Sequence, residues 1–238
     1  TPVSQKIKRR LYETSHRGGA MQFGNDGFLY IATGDQIASS KSQDIINNLD
    51  GAILRIDVDQ DPAKSHEPIR NMPDDHGFSD EISGNGYWIP NDNPFLSQTG
   101  DLFEEYYALG KRNPHRMTKD KATGKLYIGD VGAGKHDEIN VLETGGKNYG
   151  WPVYEGLYES TSCVPNLLNN MAHEEPLTVF PRSVSNSLIG GYVYRGSEVP
   201  EMKGRYICAD YGVGEEIWSV NIEDGSFEEL GDFESTNI

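Results

Sequence analysis

Three times along this chain an apolar segment is followed, across a Gly/Asp turn, by a second segment with one polar face. "GFLYIATGD" (Gly27–Asp35) precedes "AILRIDVDQD" (Ala52–Asp61), "GKLYIGDVG" (Gly124–Gly132) precedes "DEINVLETGG" (Asp137–Gly146), and "GRYICADYG" (Gly204–Gly212) precedes "EEIWSVNIEDG" (Glu215–Gly225). The aromatic and β-branched content of these segments predicts strand pairs. Further strand candidates, "YYALG" (Tyr106–Gly110) and "GGYVYRG" (Gly190–Gly196), stand ahead of the later two pairs. Helical periodicity is scarce. Antiparallel units repeated at long, uneven intervals predict an all-β chain built as propeller blades with insertions between strands. An unrelated β-sandwich is the alternative that pattern alone leaves open.

A chain of 238 residues suits one large all-β domain, and no composition shift marks a second, so residues 1–238 read as a single domain. One long insert, Pro62–Gly100, is rich in Asp, Asn, Pro and Gly. It exceeds an ordinary connection and is expected to be a functional surface loop. The chain opens Thr-Pro-Val with neither a start Met nor a signal peptide, which implies processing or a partial chain.

The net charge of −16, from 37 acidic against 21 basic residues, disfavours nucleic acid and anionic membrane as partners. The basic run "KIKRR" (Lys6–Arg10) is too isolated to reverse that. No apolar run approaches the ~20 residues needed to span a bilayer, so membrane insertion is not expected. Cys163 and Cys208 form no CxxC; one disulfide and two inert thiols are both open.

Chemistry-bearing residues gather in three segments. In "SHRGGAMQFGNDGFLYIATGDQ" (Ser15–Gln36), His16 stands beside two glycines just ahead of a strand, and Asp35 stands just after the next one. A histidine on a turn is by itself an ordinary loop residue. The glycines, however, allow close approach of backbone and ligand, and Asp35 could return near His16 to fix its tautomer. In "YALGKRNPHRM" (Tyr106–Met117), Lys111, Arg112, His115 and Arg116 crowd a short stretch of an acidic chain. They read either as surface charge or as a clamp for a carboxylate or quinone oxygen, to which Arg presents a fork of donors. In "GDVGAGKHDEINVLETGGKNYGWP" (Gly129–Pro152), glycine-rich backbone exposes carbonyls and Asp137 and Glu138 add carboxylates. Hard oxygen donors suit Ca²⁺, although the spacing is not that of an EF-hand.

Together these segments, with "NPFL" (Asn93–Leu96) and "GGYVYRG", resemble the soluble pyrroloquinoline quinone (PQQ)-dependent glucose/sorbosone or aldose sugar dehydrogenases, from about His16 to Val220. The resemblance implies a six-bladed β-propeller with PQQ and Ca²⁺ at its axis, of which this chain would hold about four blades. A six-bladed ring needs about half as much chain again, so other chains or segments would complete it. His16 then matches the catalytic base and Asp35 its partner, while Arg112 and Asn113 match residues that contact the quinone. Gly132 and Ala133 match a pair whose carbonyls bind calcium, with Ala133 where Pro is frequent. Asp137, Glu138 and Tyr149 fall where further calcium ligands or supports occur. Arg195 takes the place of a basic residue paired with a PQQ carboxylate, and Trp151 lies near the substrate cleft.

The implied reaction is oxidation of an aldose at its anomeric carbon to a lactone, with hydride to PQQ, the proton to His16, and electrons onward to a soluble acceptor or cytochrome. The implied location is periplasmic or extracellular. The hedgehog-interacting propellers share this blade sequence, including the "GG-x-VYRG" strand, without acting as sugar oxidases, so a binding or assembly module is the competing reading. Retention of His16, Asp35 and "KRNP" together favours the enzyme.

Overall fold

The computed structural model describes residues 15–69, 86–160, 171–212 and 216–232. Strands dominate it. In the first sheet, β1 (Gly18–Phe23), β2 (Leu29–Thr33) and β3 (Ala52–Ile56) run antiparallel in sequence order. A short hairpin of β4 (Ser65–His66) and β5 (Ile89–Pro90) belongs to the long insert, after which β6 (Tyr106–Leu109) adds to β3. The second sheet joins β7 (Pro114–Lys119), β8 (Leu126–Asp130) and β9 (His136–Leu142). From there β10 (Lys147–Asn148) crosses back to pair parallel with β6, β11 (Tyr154–Glu155) and β12 (Tyr158–Glu159) make a hairpin, and β13 (Thr178–Pro181) completes the second sheet against β9. The third sheet is a plain meander of β14 (Leu188–Val193), β15 (Arg205–Asp210), β16 (Glu216–Asn221) and β17 (Phe227–Asp232).

The sheets fan out with their first strands adjacent: β1 lies against β7, and β7 against β14. This is the blade arrangement that the strand repeats predict. Three blades stand among the described residues where the resemblance implied about four; residues 1–14 lie outside them.

The period-2 pattern of strands explains the packing. On the fully buried β8, Leu126 and Ile128 face the first sheet, joining Tyr30, Ala32, Ile53, Ala108 and Met117. Tyr127, on the opposite face, joins Ile139, Phe180, Leu188, Tyr206 and Trp218 between the second and third sheets. There the Tyr127 and Tyr206 rings stack at 5.3 Å. Burying each large apolar side chain contributes about 1.5–3 kcal/mol, so these two interlayer cores hold the fan together. Gly129 and Gly190 let the second and third sheets come close: a Cβ on Gly129 would lie 2.9 Å from the Gly190 Cα. Cys208 is a buried free thiol in the second core, and Cys163 lies outside the described residues.

Strand direction separates two ends of the fan. Residues ahead of β1, β7 and β14 meet residues following β2, β8 and β15 at one end, where Gly18 pairs Thr33, Pro114 pairs Asp130 and Leu188 pairs Asp210. The long insert leaves β3 at the other end, because Ile56 pairs with Leu29 rather than with Thr33. Its described part folds back there, with Asp57 and Trp88 exchanging backbone hydrogen bonds. The described part of the insert expected to be functional thus lies away from His16 and Asp35. Among the described residues no helix is long and apolar enough to cross a membrane.

Candidate active site

His16 enters β1 in a left-handed conformation, φ 50°. Its Nδ1 lies 2.7 Å from Asp35 Oδ1. Asp35 is buried; the same oxygen accepts the Ile37 N–H at 2.8 Å, and Oδ2 accepts the Trp151 indole N–H at 2.8 Å. An ionised carboxylate only accepts, so Nδ1 of His16 carries the proton and Nε2 is left as the basic nitrogen. The side chain keeps 18% of its surface exposed, which puts that nitrogen within reach of a ligand.

Main-chain bonds draw this histidine toward the second blade. The Asp35 N–H donates to the Arg112 carbonyl at 2.8 Å, and the Gln36 N–H to the His16 carbonyl at 3.2 Å. Gly34 makes this possible: a Cβ there would lie 2.1 Å from the His16 carbonyl oxygen and 3.0 Å from that of Arg112. Arg112 spends one nitrogen on the Val131 carbonyl at 2.9 Å, and its guanidinium carbon is 5.5 Å from the centre of the Trp151 ring. Burial pushes its pKa down against the pull of Asp35 and Asp130. Asn113 turns its side-chain oxygen to the Gly18 N–H at 3.3 Å. Trp151 is held in turn by Gln43, whose side chain donates to the Trp151 carbonyl at 2.8 Å and exchanges hydrogen bonds with Asn148.

One position recurs in every blade. Asp130 and Asp210 are the last residues of β8 and β15, and Asp35 stands two residues past the end of β2. Asp130 accepts the backbone N–H groups of Arg112 and Asn113 at 3.1 and 2.6 Å. Asp210 accepts those of Asn186 and Ser187 at 3.0 and 2.9 Å. In the first blade the carboxylate takes the His16 side chain instead.

The model of the glucose/sorbosone dehydrogenase family matches residues 4–87 and 63–232. The chain belongs to that family. It is 35% identical to the HIPL1 protein of Arabidopsis thaliana, over 92% of this chain and 32% of that protein. With aldose sugar dehydrogenase YliI of Escherichia coli (strain K12) it shares 27% identity, over 81% of this chain and 44% of the relative. With the human Hedgehog-interacting protein it shares 28%, over 82% and 23%. The chain therefore spans less than half the length of each of these relatives. Among solved structures, a glucose dehydrogenase superposes with a TM-score of 0.66 at 24% identity, covering 95% of this chain and 56% of that one. The PQQ-bound aldose sugar dehydrogenase of Streptomyces coelicolor gives 0.62 at 22%, covering 93% and 51%. The fold is the β-propeller of these dehydrogenases.

The fit of this glucose/sorbosone dehydrogenase family member to the implied groups is uneven. At Gly132 the backbone is wound tightly: its N–H donates to Asp137 Oδ1 at 2.7 Å, and those of Ala133, Gly134 and Lys135 converge on Glu155 Oε1 at 2.7 Å each. A Cβ at Gly132 would lie 1.7 Å from the His136 carbonyl oxygen. With the N–H groups turned inward, the Gly132 and Ala133 carbonyls accept no hydrogen bond among the described residues. Two uncommitted carbonyls suit a hard cation.

Of the other expected calcium residues, Glu138 lines the same small cavity as Gly132, Arg112 and Asp130, while Asp137 and Tyr149 are committed elsewhere. Asp137 is saturated by the Arg182 fork at 2.6 and 3.2 Å, the Ser185 hydroxyl at 2.8 Å and the Leu188 N–H at 2.9 Å. Glu138 accepts from Asn140 at 2.9 Å within β9. The Tyr149 hydroxyl donates to the Val141 carbonyl at 2.9 Å. Among the described residues no three His, Cys, Asp or Glu groups gather to hold a metal.

Arg195 is also elsewhere. Its guanidinium grips Asp120 at 2.9 and 2.7 Å. It follows β14, which carries the chain about 20 Å from the His16 end. Lys111, grouped by sequence with the exposed cations of its segment, is instead fully buried. Sequence reading also passed over Asp130, Glu155, Gln43 and Arg182. The repeated "TGD", "IGD" and "CAD" endings of the second strands carried a signal for Asp130 and Asp210; Glu155 and Gln43 had none, because their roles depend on segments that meet only in the fold.

Proposed function

We propose that the His16 end of this fan oxidises the anomeric carbon of an aldose to a lactone, with PQQ as the cofactor and Ca²⁺ at the Gly132 and Ala133 carbonyls. The observation that carries this reading is the line from Trp151 through Asp35 to His16, with Arg112 beside it. PQQ, when bound, supplies the carbon that accepts the hydride and with it both electrons. His16 Nε2 takes the proton of the sugar hydroxyl, so hydride and proton leave the substrate separately. Asp35 fixes the tautomer and offsets the imidazolium charge that results. On this reading the remaining donors of the Arg112 fork and the Asn113 amide would hold the acidic, quinone-bearing ligand. General-base action of this kind contributes about 10²–10⁴-fold. Electrons would pass on to a soluble acceptor or cytochrome, and a periplasmic or extracellular location accords with such chemistry.

One observation favours the competing reading of a binding or assembly propeller: Arg195, expected to meet a PQQ carboxylate, is committed to Asp120. Likeness to the Hedgehog-interacting protein supports that reading too. Loading the protein with PQQ and Ca²⁺ and following dye reduction over a panel of aldoses separates the two. Sugar-dependent reduction supports the dehydrogenase; PQQ binding without reduction, or no binding, favours the module.

A further inference from the structure

One buried group has no part in that chemistry. The Lys111 side chain is 0% exposed and its Nζ has no hydrogen-bond partner. It stands 3.4 Å from the centre of the Tyr149 ring and 4.0 Å from both Asp130 Oδ2 and Glu138 Oε1. An ammonium stripped of water is costly unless anionic or π partners surround it. Here they do, yet none is close enough for a direct hydrogen bond. The nitrogen is central to the group rather than attached to one member, as a cation is among its ligands. The backbone fixes it there: the Lys111 N–H donates to the Gly51 carbonyl at 2.9 Å and its carbonyl accepts the Ser42 hydroxyl at 2.8 Å.

Glu138 and Tyr149 are two of the residues for which the family resemblance implied calcium. They do not fit a metal in this chain. A divalent ion within reach of Glu138 would share its carboxylate with an ammonium already 4.0 Å away, and like charges at such range inside a protein repel strongly. We infer that the Lys111 ammonium is a built-in cation that replaces a metal ion at this cluster, its single positive charge shared between Asp130 and Glu138 where the first and second blades meet. Burial pushes the Lys111 pKa down, to about 8, while Asp130 and Glu138 pull it up; burial raises both carboxylates, Glu138 to about 7, and the nearby ammonium pulls them back down. Asp130, held by this charge, in turn receives the Arg112 and Asn113 N–H groups.

The inference is independent of sugar oxidation and is tested without PQQ or substrate. Ca²⁺ is titrated calorimetrically into chelator-treated wild type, Glu138→Gln, Lys111→Ala and Lys111→Ala/Glu138→Gln, with thermal unfolding followed in parallel. Wild type and Glu138→Gln should bind the same number of Ca²⁺ equivalents. Lys111→Ala should bind one more and regain with Ca²⁺ part of the Tm it loses, since a ligand of the folded state stabilises it; the double variant should do neither. Loss of a Ca²⁺ equivalent in Glu138→Gln alone would overturn the inference, and that arm does not depend on the Lys111 variants folding. Lys111→Ala that folds with no added site and no calcium-dependent recovery would overturn it as well.

Discussion

Asp35 meets His16 at 2.7 Å with one carboxylate oxygen while the other takes the Trp151 indole at 2.8 Å. Both neighbours are donors, so both oxygens must accept. Asp35→Asn puts an amide NH₂ against one of them and leaves a donor facing a donor. Sugar-dependent dye reduction should fall about 10²–10⁴-fold, and His16→Gln should abolish it, with PQQ affinity nearly unchanged in both. Turnover near wild type in His16→Gln would remove His16 as the base.

Arg112→Lys keeps the charge and loses the plane. The bond to the Val131 carbonyl and the guanidinium beside the Trp151 ring both need the fork. PQQ affinity and rate should drop together. If a PQQ titration and kcat both match wild type, the "KRNP" turn does not hold the cofactor.

Chelation of the PQQ-loaded protein should release the cofactor and lower Tm, with Ca²⁺ restoring both and Mg²⁺ doing so poorly, because its small octahedral shell resists irregular carbonyl cages. Tight PQQ binding that ignores chelator refutes calcium at Gly132 and Ala133.

Gly34→Ala drives a methyl against the His16 carbonyl at 2.1 Å. Overpacking of this kind costs about 1–3 kcal/mol. Denaturant unfolding should show that loss, and turnover should fall further than stability, since the strain lands on the backbone of the base. Unchanged stability would mean that the two blades are not tied as closely at this point.

Arg195 holds the Asp120 carboxyl well below the usual carboxylate range, by direct hydrogen bonding above all. A depressed carboxylate adds stability that is present above its unfolded pKa near ~3.9 and lost as pH falls through the lower folded value. Arg195→Met should therefore cost about 1 kcal/mol at neutral pH, given the partial exposure of the arginine, and move the acid-unfolding midpoint upward. It should leave PQQ affinity intact. A selective loss of PQQ binding would return Arg195 to the cofactor.

The blades were legible because strand pairs with a polar face leave a period-2 trace, and because "GFLYIATGD" and "GKLYIGDVG" share a shape. The His16–Asp35 pair was legible too, since a single hairpin brings its ends together. Asp137 and Glu138 misled: adjacent carboxylates look like metal ligands on paper, yet in β9 successive side chains point to opposite faces, so the two enter different surroundings. Arg195 misled for a related reason. Its motif fixed the strand but not which end of the blade its side chain would reach. Lys111 could not be read as buried because nothing local says that Tyr149, thirty-eight positions later in the numbering, will lie beneath it.

The aspartate that closes each blade's second strand suggests how such a site can arise at little cost. In two blades it ties down the turn before the first strand through main-chain N–H groups, joined in the third by the Ser185 hydroxyl. In the first it grips the His16 side chain, and the same bond that fastens the turn also decides which nitrogen of an imidazole carries the proton. A repeat protein built this way carries spare copies of a carboxylate already buried, aimed and tethered. A paired imidazole then requires only that one entry turn present a histidine, and it can be lost again at that turn while the architecture stands.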